Sequence, residues 1–382
     1  HQFSGGQLGA NFYGDAPFTG KPFTTPNEAY FEHVDDVVAA AAQRHVLLLL
    51  DALYLGFGCG NEGWCAEVKD ASLADLHAWG QYVGQRYEGF ANIVWVVGGD
   101  TDPGPVAAKV REFVAGLRER DTRHLITAHN QPESFAVTPW PSEAWLGVNN
   151  IYSYSLNLYQ NGKTAYDRTP AMPFFLIESK YEGESGASPQ RLRAEAYYPV
   201  LSGGMGAMFG DCPIWPFSSP TAAGFCTLVD WKTALGRPGS LAMQNVQRLF
   251  TSRAWQLLVP DWDHTVMTAG FGSWGSSDYA MTARTAGGAT VIAYLPSKRT
   301  VTIDLSTSSG AQAKAWWYEP AGGIATAIGT FATSGPHDFT PPVAGDWVLV
   351  VDDAALGLPP PGFLFRDGFE SGDLSAWSGV AP

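Results

Sequence analysis

Two carboxylates that each follow a short apolar run are the strongest candidates for chemistry in this chain. Asp100 ends the segment NIVWVVGGD, which begins at Asn92. Glu178 ends the apolar run within MPFFLIESKYEG, which begins at Met172. An apolar run rich in β-branched residues, set between helical patterns, predicts a parallel strand buried on both faces. In an α/β barrel the carboxyl ends of such strands carry the active-site loops, so both carboxylates are candidate acids, bases or nucleophiles.

Asp100 also has a purely structural interpretation. Gly98 and Gly99 could simply make a turn, and Asp100 could cap the helix that follows Pro103. The second strand-end carboxylate changes this balance. Two acidic groups at the ends of two separate buried strands are typical of the acid/base and nucleophile pair of a glycosidase.

Composition limits the function classes that need to be considered. The chain has 382 residues, 45% apolar and 13% aromatic, so it can bury one large core and a second small one. Its formal net charge of -14 argues against nucleic acid and anionic membrane surfaces as partners, because both attract basic proteins. No apolar run reaches the length of a membrane span. The 14 Trp and 15 Tyr residues fit stacking on sugar rings, although a large aromatic core is their commoner explanation.

The four cysteines form two close pairs, Cys59 with Cys65 and Cys212 with Cys226. Short-range pairs in loops rich in Gly, Pro and Trp favour disulfides over a zinc site, which would have CxxC spacings and nearby histidines. We therefore expect two disulfides and a secreted or periplasmic location. No spacing of His, Asp or Glu indicates an obligatory metal or another cofactor.

Strand and helix patterns alternate along residues 1–258. A β-then-α order repeated in this way predicts a parallel sheet or barrel. The predicted strands are Val46–Leu50, a strand from Asn92, His124–Ala128, Trp145–Ile151, Pro173–Ile177 and Gly206–Phe209.

The pattern changes after Val259. Apolar and polar residues alternate with a period of two over residues 259–354, with recurrent turn residues and no helical pattern, which predicts an antiparallel sandwich. Residues 355–382 are interpreted as a linker and a short acidic tail.

Long motifs along the chain carry a resemblance to a known family. The first group reads NEAYFEHVDDVV, RYEGFANIVWVVGGD, MPFFLIESKYEGE, PIWPF and LFTSRAWQLLVPD. The second group reads TARTAGGATVIAYLPSKRTVTIDL, KAWWYEPAGG and FTPPVAGDWVLVVDD. The first group resembles the apiosidase-like barrel domain of a glycoside hydrolase family, and the second resembles the small β domain that follows it, often labelled collagen-binding.

This resemblance implies an α/β fold, a (β/α)8 TIM-type barrel followed by a small antiparallel β-sandwich. It implies a retaining hydrolase in which Asp100, after the fourth barrel strand, is the acid/base and Glu178, after the seventh, is the nucleophile. One departure is that this sequence begins after the expected position of the second strand. We therefore expect the barrel of this chain to lack its first βαβ segment.

The residue types suit that chemistry. A protonated carboxyl must protonate the leaving oxygen while an ionised carboxylate attacks the anomeric carbon, with the two groups about 5 Å apart for retention. Burial beside Trp95 or loop aromatics and the charge of Glu178 would raise the pKa of Asp100. When Glu178 carries the sugar its charge is lost, and Asp100 could act as a base toward water.

Glu182 competes with Glu178 for the role of nucleophile, because YEG resembles the family pattern as closely as the IE step does. Its alternative role is to support neighbouring groups or to pair with Lys180 or Arg191. We favour Glu178, because a strand-end position is more rigid.

Further polar and aromatic residues are candidates for substrate binding. His129 and Asn130 end the fifth strand and could hydrogen-bond sugar hydroxyls, although a histidine at a strand end is more often structural. Trp215 could stack on a sugar face, and Tyr152 is a weaker candidate for which a packing role is the favoured interpretation. Asp211 could contact a hydroxyl or brace its loop.

The sequence therefore predicts a secreted glycoside hydrolase acting on plant cell-wall-type polysaccharide, at apiosyl or other furanosyl bonds. The predicted partner is a carbohydrate substrate. The alternative is a non-catalytic carbohydrate-binding or matrix-binding protein whose barrel is degenerate. The two carboxylates at strand ends favour the enzyme, whereas the missing first segment favours the binding protein.

Overall fold

The structure is a computed structural model that describes residues 3–4, 7–8, 10–215, 217 and 229–363. The chain divides into two compact units. The first unit comprises residues 1–155 and 163–179, and the second comprises residues 156–162 and 180–382.

The first unit alternates strands and helices. Its strands are β1 (Phe3–Ser4), β2 (Gln7–Leu8), β3 (Leu48–Tyr54), β4 (Ile93–Gly98), β5 (Ile126–His129), β6 (Ser134–Phe135), β7 (Asn149–Tyr152) and β8 (Phe174–Glu178). Its helices are α1 (Glu28–Ala42), α2 (Cys65–Asp70), α3 (Leu73–Tyr87) and α4 (Ala107–Arg120), and α5 (Leu158–Tyr166) spans residues of both units.

The larger strands of the first unit run parallel, as the sequence predicts. Strands β3, β4 and β5 form one parallel sheet, and β7 pairs in parallel with β8. The N–H of Gly147 donates to the carbonyl of Ile126 (3.0 Å), which links β5 to the segment leading into β7. In this register Gly98 lies beside His129, and Tyr152 lies beside Glu178. The strand ends that carry the predicted site residues therefore lie at neighbouring positions of a TIM-barrel-like α/β domain.

Helices α3 and α4 hold the outer face of this sheet. Helix α3 begins with a capping box, in which the N–H of Asp75 donates to the Ser72 hydroxyl and the N–H of Ser72 donates to the Asp75 carboxylate. A side chain at Gly80 would collide with the Phe113 carbonyl, and one at Gly116 would collide with that of His77. The two glycines thus allow the helix backbones to approach closely, which fixes β4 between the helices and the barrel interior.

The second unit combines helices with two antiparallel sheets, and its helices are α6 (Pro189–Leu201), α7 (Trp231–Ala234) and α8 (Pro238–Thr251). Its strands are β9 (Leu258–Pro260), β10 (Met267–Ala269), β11 (Met281–Thr285), β12 (Thr290–Leu295), β13 (Val301–Asp304), β14 (Gln312–Glu319), β15 (Ile324–Ala332), β16 (Pro336–Phe339) and β17 (Trp347–Asp353). Six strands form one sheet in the order β15-β14-β17-β12-β11-β9, and β10-β13-β16 form the other.

The antiparallel sheets predicted from the period-two pattern are confirmed, but the six-stranded sheet is buried on both faces at its centre. Val291 and Leu295 of β12 pack into the core between the sheets. Tyr294, on the opposite face, stacks on Tyr197 of α6 with the ring centres 4.8 Å apart. The alternation is therefore not between core and solvent, because a helix covers the second face.

The remaining predictions from the sequence have different outcomes. Gly206–Phe209 is not a strand: the segment lies largely exposed, with Met208 46% accessible. Ala207 alone of these residues takes part in a β-bridge, so the segment does not extend into a regular strand. The Cys59–Cys65 disulfide is confirmed. Cys226, the predicted partner of Cys212, lies outside the described residues, and the absence of a first βαβ segment stays a prediction.

A buried ion pair in the second unit makes a testable contribution to the free energy of unfolding. Arg253 donates from Nε and Nη2 to the two carboxylate oxygens of Asp352 (2.9 and 2.8 Å), and both side chains are almost fully buried. Because Arg253→Met leaves an uncompensated buried charge, we expect it to lower the free energy of unfolding by about 3 to 5 kcal/mol. Urea denaturation measures this change.

The matched control is Arg111→Met, which breaks the exposed pair between Arg111 and Glu143. A loss of about 0 to 1 kcal/mol is expected there, because solvent screens the pair. Equal losses in the two variants would contradict the buried-charge argument.

Candidate active site

The turn that follows β4 has three successive residues with positive φ. The φ angles are 97° at Gly98, 104° at Gly99 and 52° at Asp100. The left-handed region is open to glycine and tolerated by aspartate. A side chain at Gly99 would also collide with the ring of Tyr54, which packs directly against this turn. The two glycines and the aspartate are therefore the residue types that this backbone path requires.

Three backbone hydrogen bonds fasten the turn. The N–H of Leu55 donates to the carbonyl of Gly98 (2.5 Å), and the N–H of Gly99 donates to the carbonyl of His129 (2.7 Å). The N–H of Gly58 donates to the carbonyl of Asp100 itself (3.2 Å). The segment after β3 and the last residue of β5 thus hold the turn from both sides.

The carboxyl of Asp100 is placed to keep a proton near neutral pH. Burial raises its pKa from 3.8 to about 6, and the negative charges of Glu178 and Glu62 act in the same direction. A hydrogen bond from the Tyr152 hydroxyl and the nearby His129 oppose the rise. The Oδ1 atom of Asp100 is buried and has no hydrogen-bond partner within the described part of the chain.

His129 and Glu178 form a close pair beside Asp100. The Nε2 atom of His129 lies 2.9 Å from Oε2 of Glu178, at ion-pair distance, although the two groups are not aligned for a hydrogen bond. Both side chains are about 15% exposed. The ring of His129 also packs against Tyr152, with centroids 5.1 Å apart. The sequence-predicted residues Asp100, His129, Tyr152 and Glu178 are therefore brought together.

Tyr152 lies inside the protein rather than on a surface that a sugar could stack on. It is 2% exposed, and its hydroxyl is 3.0 Å from that of Tyr154. Glu133 fixes the segment after Tyr152, because its carboxylate accepts the N–H of Tyr154 (2.7 Å) and the Ser153 hydroxyl (2.6 Å). Burial and the Glu178 charge raise the pKa of Tyr152, so its hydroxyl stays protonated and can donate to Asp100.

Asn130 braces the loop after β5. Its side-chain amide donates to the carbonyls of Phe135 (2.9 Å) and Ala136 (3.2 Å). The residue is 1% exposed, and its Oδ1 atom is buried without a hydrogen-bond partner among the residues that the structure describes. The donors of this side chain are thus already used by the protein.

Glu182 and Asp211 belong to the second unit and occupy a different setting. The carboxylate of Glu182 accepts the N–H groups of Gly239 (2.9 Å) and Ser240 (3.0 Å) at the start of α8. Asp211 accepts a bond from Nη1 of Arg237 (3.1 Å). Burial raises the pKa of Asp211 to about 6; Arg237 opposes this and the Glu182 charge adds to it. Glu182 therefore serves as a helix N-terminal carboxylate.

Trp215, the predicted sugar-stacking residue, also lies in the second unit. Its side chain is 39% exposed. Its backbone N–H donates to the Asp211 carbonyl (3.0 Å). Most of the Cys212–Cys226 loop beyond it lies outside the described residues.

Sequence reasoning missed two carboxylates in the first unit. Glu62 lies in the loop closed by the Cys59–Cys65 disulfide, and its charge acts on Asp100. Asp51 lies within β3, beside Val96 in the register, and burial raises its pKa well above the usual value. The available signal for Asp51 was a lone acid that interrupts the apolar run VLLLLDALYLG.

The described residues contain no group of three or more His, Cys, Asp or Glu side chains arranged to hold a metal ion. No helix in the described ranges is both long enough and apolar enough to cross a membrane.

Comparisons with known proteins agree with this picture. Residues 3–256 match the family model described as "Apiosidase-like, catalytic domain". Residues 264–352 match the model described as "Putative collagen-binding domain of a collagenase". No curated protein matched the chain.

Solved structures with the same fold include two glycoside hydrolases. One is a glycoside hydrolase family 5 protein from Bacteroides vulgatus ATCC 8482, with a TM-score of 0.81 at 23% identity, covering 95% of this chain and 84% of that one. The other is titled "Glycoside hydrolase", with a TM-score of 0.79 at 22% identity, covering 91% of this chain and 83% of that one. These similarities establish the fold.

The raised pKa of Asp100 predicts that this residue destabilises the folded chain. The folded state holds the proton more tightly than the unfolded state, so stability is lost as the pH rises from about 4 to 6 and the carboxyl ionises. We expect Asp100→Asn to raise the free energy of unfolding by about 1 to 3 kcal/mol at pH 7.5, and by much less at pH 4. Urea denaturation at the two pH values measures the gain.

Asp102→Asn is the matched control, because Asp102 lies on the same loop and its carboxylate accepts a long bond from the N–H of Gln131 (3.4 Å). No pH-dependent gain is expected from it. An Asp100→Asn variant that is equally stable or less stable at pH 7.5 would show that the Asp100 carboxylate is not destabilised by burial.

Proposed function

Because this chain belongs to the Apiosidase-like family, we propose that it is a retaining glycoside hydrolase that cleaves apiosyl or other furanosyl bonds in plant cell-wall-type polysaccharide. The observation that carries the proposal is the setting of Asp100. Its carboxyl has a pKa of about 6, a buried oxygen without a hydrogen-bond partner among the described residues, and Glu178 as a charged neighbour. Such a carboxyl can donate a proton to a leaving oxygen that enters the site.

Asp100 takes the role of acid and then base. In the first step its proton passes to the glycosidic oxygen, while Glu178 attacks the anomeric carbon and the bond to the leaving group breaks. In the second step Asp100 removes a proton from water, which attacks the same carbon and releases Glu178. The loss of the Glu178 charge in the covalent intermediate removes one cause of the raised Asp100 pKa, and the Tyr152 hydroxyl then favours the ionised form.

Glu178 is favoured over Glu182 as nucleophile by their partners. Glu178 interacts electrostatically with Asp100 and lies 2.9 Å from His129, which can hold the carboxylate in one orientation. Both oxygens of Glu182 instead accept backbone N–H groups at the start of α8. Attack by Glu182 on a sugar would break those two hydrogen bonds. A structural role at the start of α8 is therefore better supported for Glu182 than the role of nucleophile.

His129 is proposed to hold both Glu178 and a substrate hydroxyl. The amide N–H groups of Asn130 are already used by the protein. Its Oδ1 atom has no hydrogen-bond partner among the described residues, so this atom is the one that could accept a bond from a substrate hydroxyl. Trp215 remains the proposed sugar-stacking residue on account of its exposed ring, and Asp211 is assigned to loop bracing. The Cys59–Cys65 disulfide supports a secreted or periplasmic location, since disulfides persist in oxidising compartments.

Three variants test the assignment of roles. On a panel of plant and bacterial glycans, we expect Asp100→Asn to lower kcat by about 10²- to 10⁴-fold and Glu178→Gln to abolish turnover. Glu182→Gln should keep kcat within about tenfold while lowering the melting temperature, because it weakens the carboxylate at the N-terminus of α8. Release of sugar, the anomer released first and thermal unfolding are the measurements.

The outcomes separate the competing functions. Full turnover in Glu178→Gln with none in Glu182→Gln would reverse the nucleophile assignment. Release of the inverted anomer would contradict retention. Binding of a glycan without turnover by the unmodified protein would support the carbohydrate-binding alternative.

A further inference from the structure

We propose that the loop closed by the Cys59–Cys65 disulfide positions Asp100 through the carboxylate of Glu62, which makes Glu62 a positioning residue for proton transfer. This inference deepens the proposed function and rests on Asp100 as its acid/base. The disulfide joins Cys59 to Cys65, and the effect on Asp100 passes through the loop between them.

Glu62 is the side chain that ties the loop together. Its Oε1 atom accepts the Tyr54 hydroxyl (3.1 Å) and the N–H of Phe57 (2.5 Å). Tyr54 ends β3, whereas Phe57 begins the short helical turn Phe57–Cys59. One carboxylate oxygen therefore joins the end of a barrel strand to the loop that follows it.

Both partners of Glu62 lead to the Asp100 turn. The Tyr54 ring packs so closely on Gly99 that a side chain at Gly99 would collide with it. Gly58, next to Phe57, donates its N–H to the Asp100 carbonyl (3.2 Å). Glu62 thus supports the turn by two routes, one through the Tyr54 ring and one through the loop backbone.

The loop itself is packed too tightly to move independently of the strand. A side chain at Gly63 would collide with the backbone of Leu55 and Gly56, and one at Gly56 would collide with Gly63. The N–H of Trp64 donates to the Tyr54 carbonyl (2.8 Å), and the disulfide closes the same segment. The position of Glu62 is therefore fixed relative to β3.

Glu62 also acts on Asp100 by its charge. The groups that face Asp100 are Glu178 from β8, His129 from β5, Tyr152 from β7, and Glu62 from the loop. In turn, the pKa of Tyr54 in β3 is raised by burial and by the negative charge of Asp100. Glu178 and Glu62 raise the pKa of Asp100, while Tyr152 and His129 lower it. Of the two carboxylates, only Glu62 keeps its charge throughout a catalytic cycle in which Glu178 becomes glycosylated.

The test is a double-mutant cycle that needs no substrate. Glu62→Gln keeps the shape and an acceptor oxygen but removes the charge. We expect the gain in melting temperature from Asp100→Asn at pH 7.5 to be smaller in the Glu62→Gln background than in the unmodified protein. An equal gain in both backgrounds would overturn the proposal.

Asp70→Asn is the matched control, because it removes an equal charge from an exposed residue at the end of α2. In that background the gain from Asp100→Asn should be unchanged. A decrease equal to that seen with Glu62→Gln would assign the effect to net charge rather than to Glu62.

Kinetics on a glycan of the panel that the unmodified protein hydrolyses provide the second readout. Glu62→Gln should move the basic limb of kcat/KM to lower pH with kcat at the optimum kept within a few-fold. Glu62→Ala, which also loses the two hydrogen bonds, should lower kcat by about tenfold or more. A lower kcat in Glu62→Gln with an unmoved pH profile would indicate a structural role only.

Failure of the two proposals can be told apart. Retained turnover in Asp100→Asn would remove Asp100 as acid/base and with it the proposed function. Loss of turnover in Asp100→Asn together with an unchanged Glu62→Gln profile would overturn only the role of Glu62.

Discussion

The left-handed backbone of Gly98, Gly99 and Asp100 is the constraint on which the site depends. A strand that continued straight would carry Asp100 on past the barrel edge, whereas three successive positive φ angles turn it back beside β5. Such a path is strained for a residue with a side chain, and surrounding contacts must hold it. Hydrogen bonds from Leu55 and Gly58, and one to His129, supply that support. The segments that support the turn also bring His129 and Glu62 to Asp100.

The three carboxylates considered for catalysis have different surroundings. Asp100 is buried with an oxygen that no described residue satisfies, so its proton is retained. Glu178 faces His129, whose Nε2 atom lies 2.9 Å from its carboxylate. Glu182 receives two backbone donors and is committed to a helix terminus. Carboxyl groups of the same chemistry thus differ in role because their surroundings differ, which is the usual basis of acid and nucleophile assignments.

The sequence was most informative where local pattern determines position. The apolar runs before Asp100 and Glu178 predict strands, and the structure has strands β4 and β8 there. The prediction of a regular strand failed for Gly206–Phe209, where Ala207 alone takes part in a β-bridge. For so short an apolar run the pattern alone does not establish a strand. The capping box formed by Ser72 and Asp75 likewise depends only on neighbouring residues.

Contacts between distant segments could not be read from the sequence. Glu62 was overlooked because its partners, Tyr54 and Phe57, depend on how a closed loop folds back on a strand end. Tyr152 resembled an aromatic platform, but its register beside Glu178 turns its hydroxyl toward the buried carboxyls. The choice between Glu178 and Glu182 depends on two backbone N–H groups more than fifty positions away. Such information is available only from the folded chain.

The most direct test of this account is the pKa of Asp100 itself. NMR titration of protein labelled with ¹³C at the aspartate carboxyls would identify its resonance as the one missing from Asp100→Asn. The account predicts a midpoint at about pH 6. A midpoint near 4, the ordinary value for aspartate, would mean that burial and neighbouring charges do not hold the proton, and the assignment of Asp100 as the acid would be contradicted.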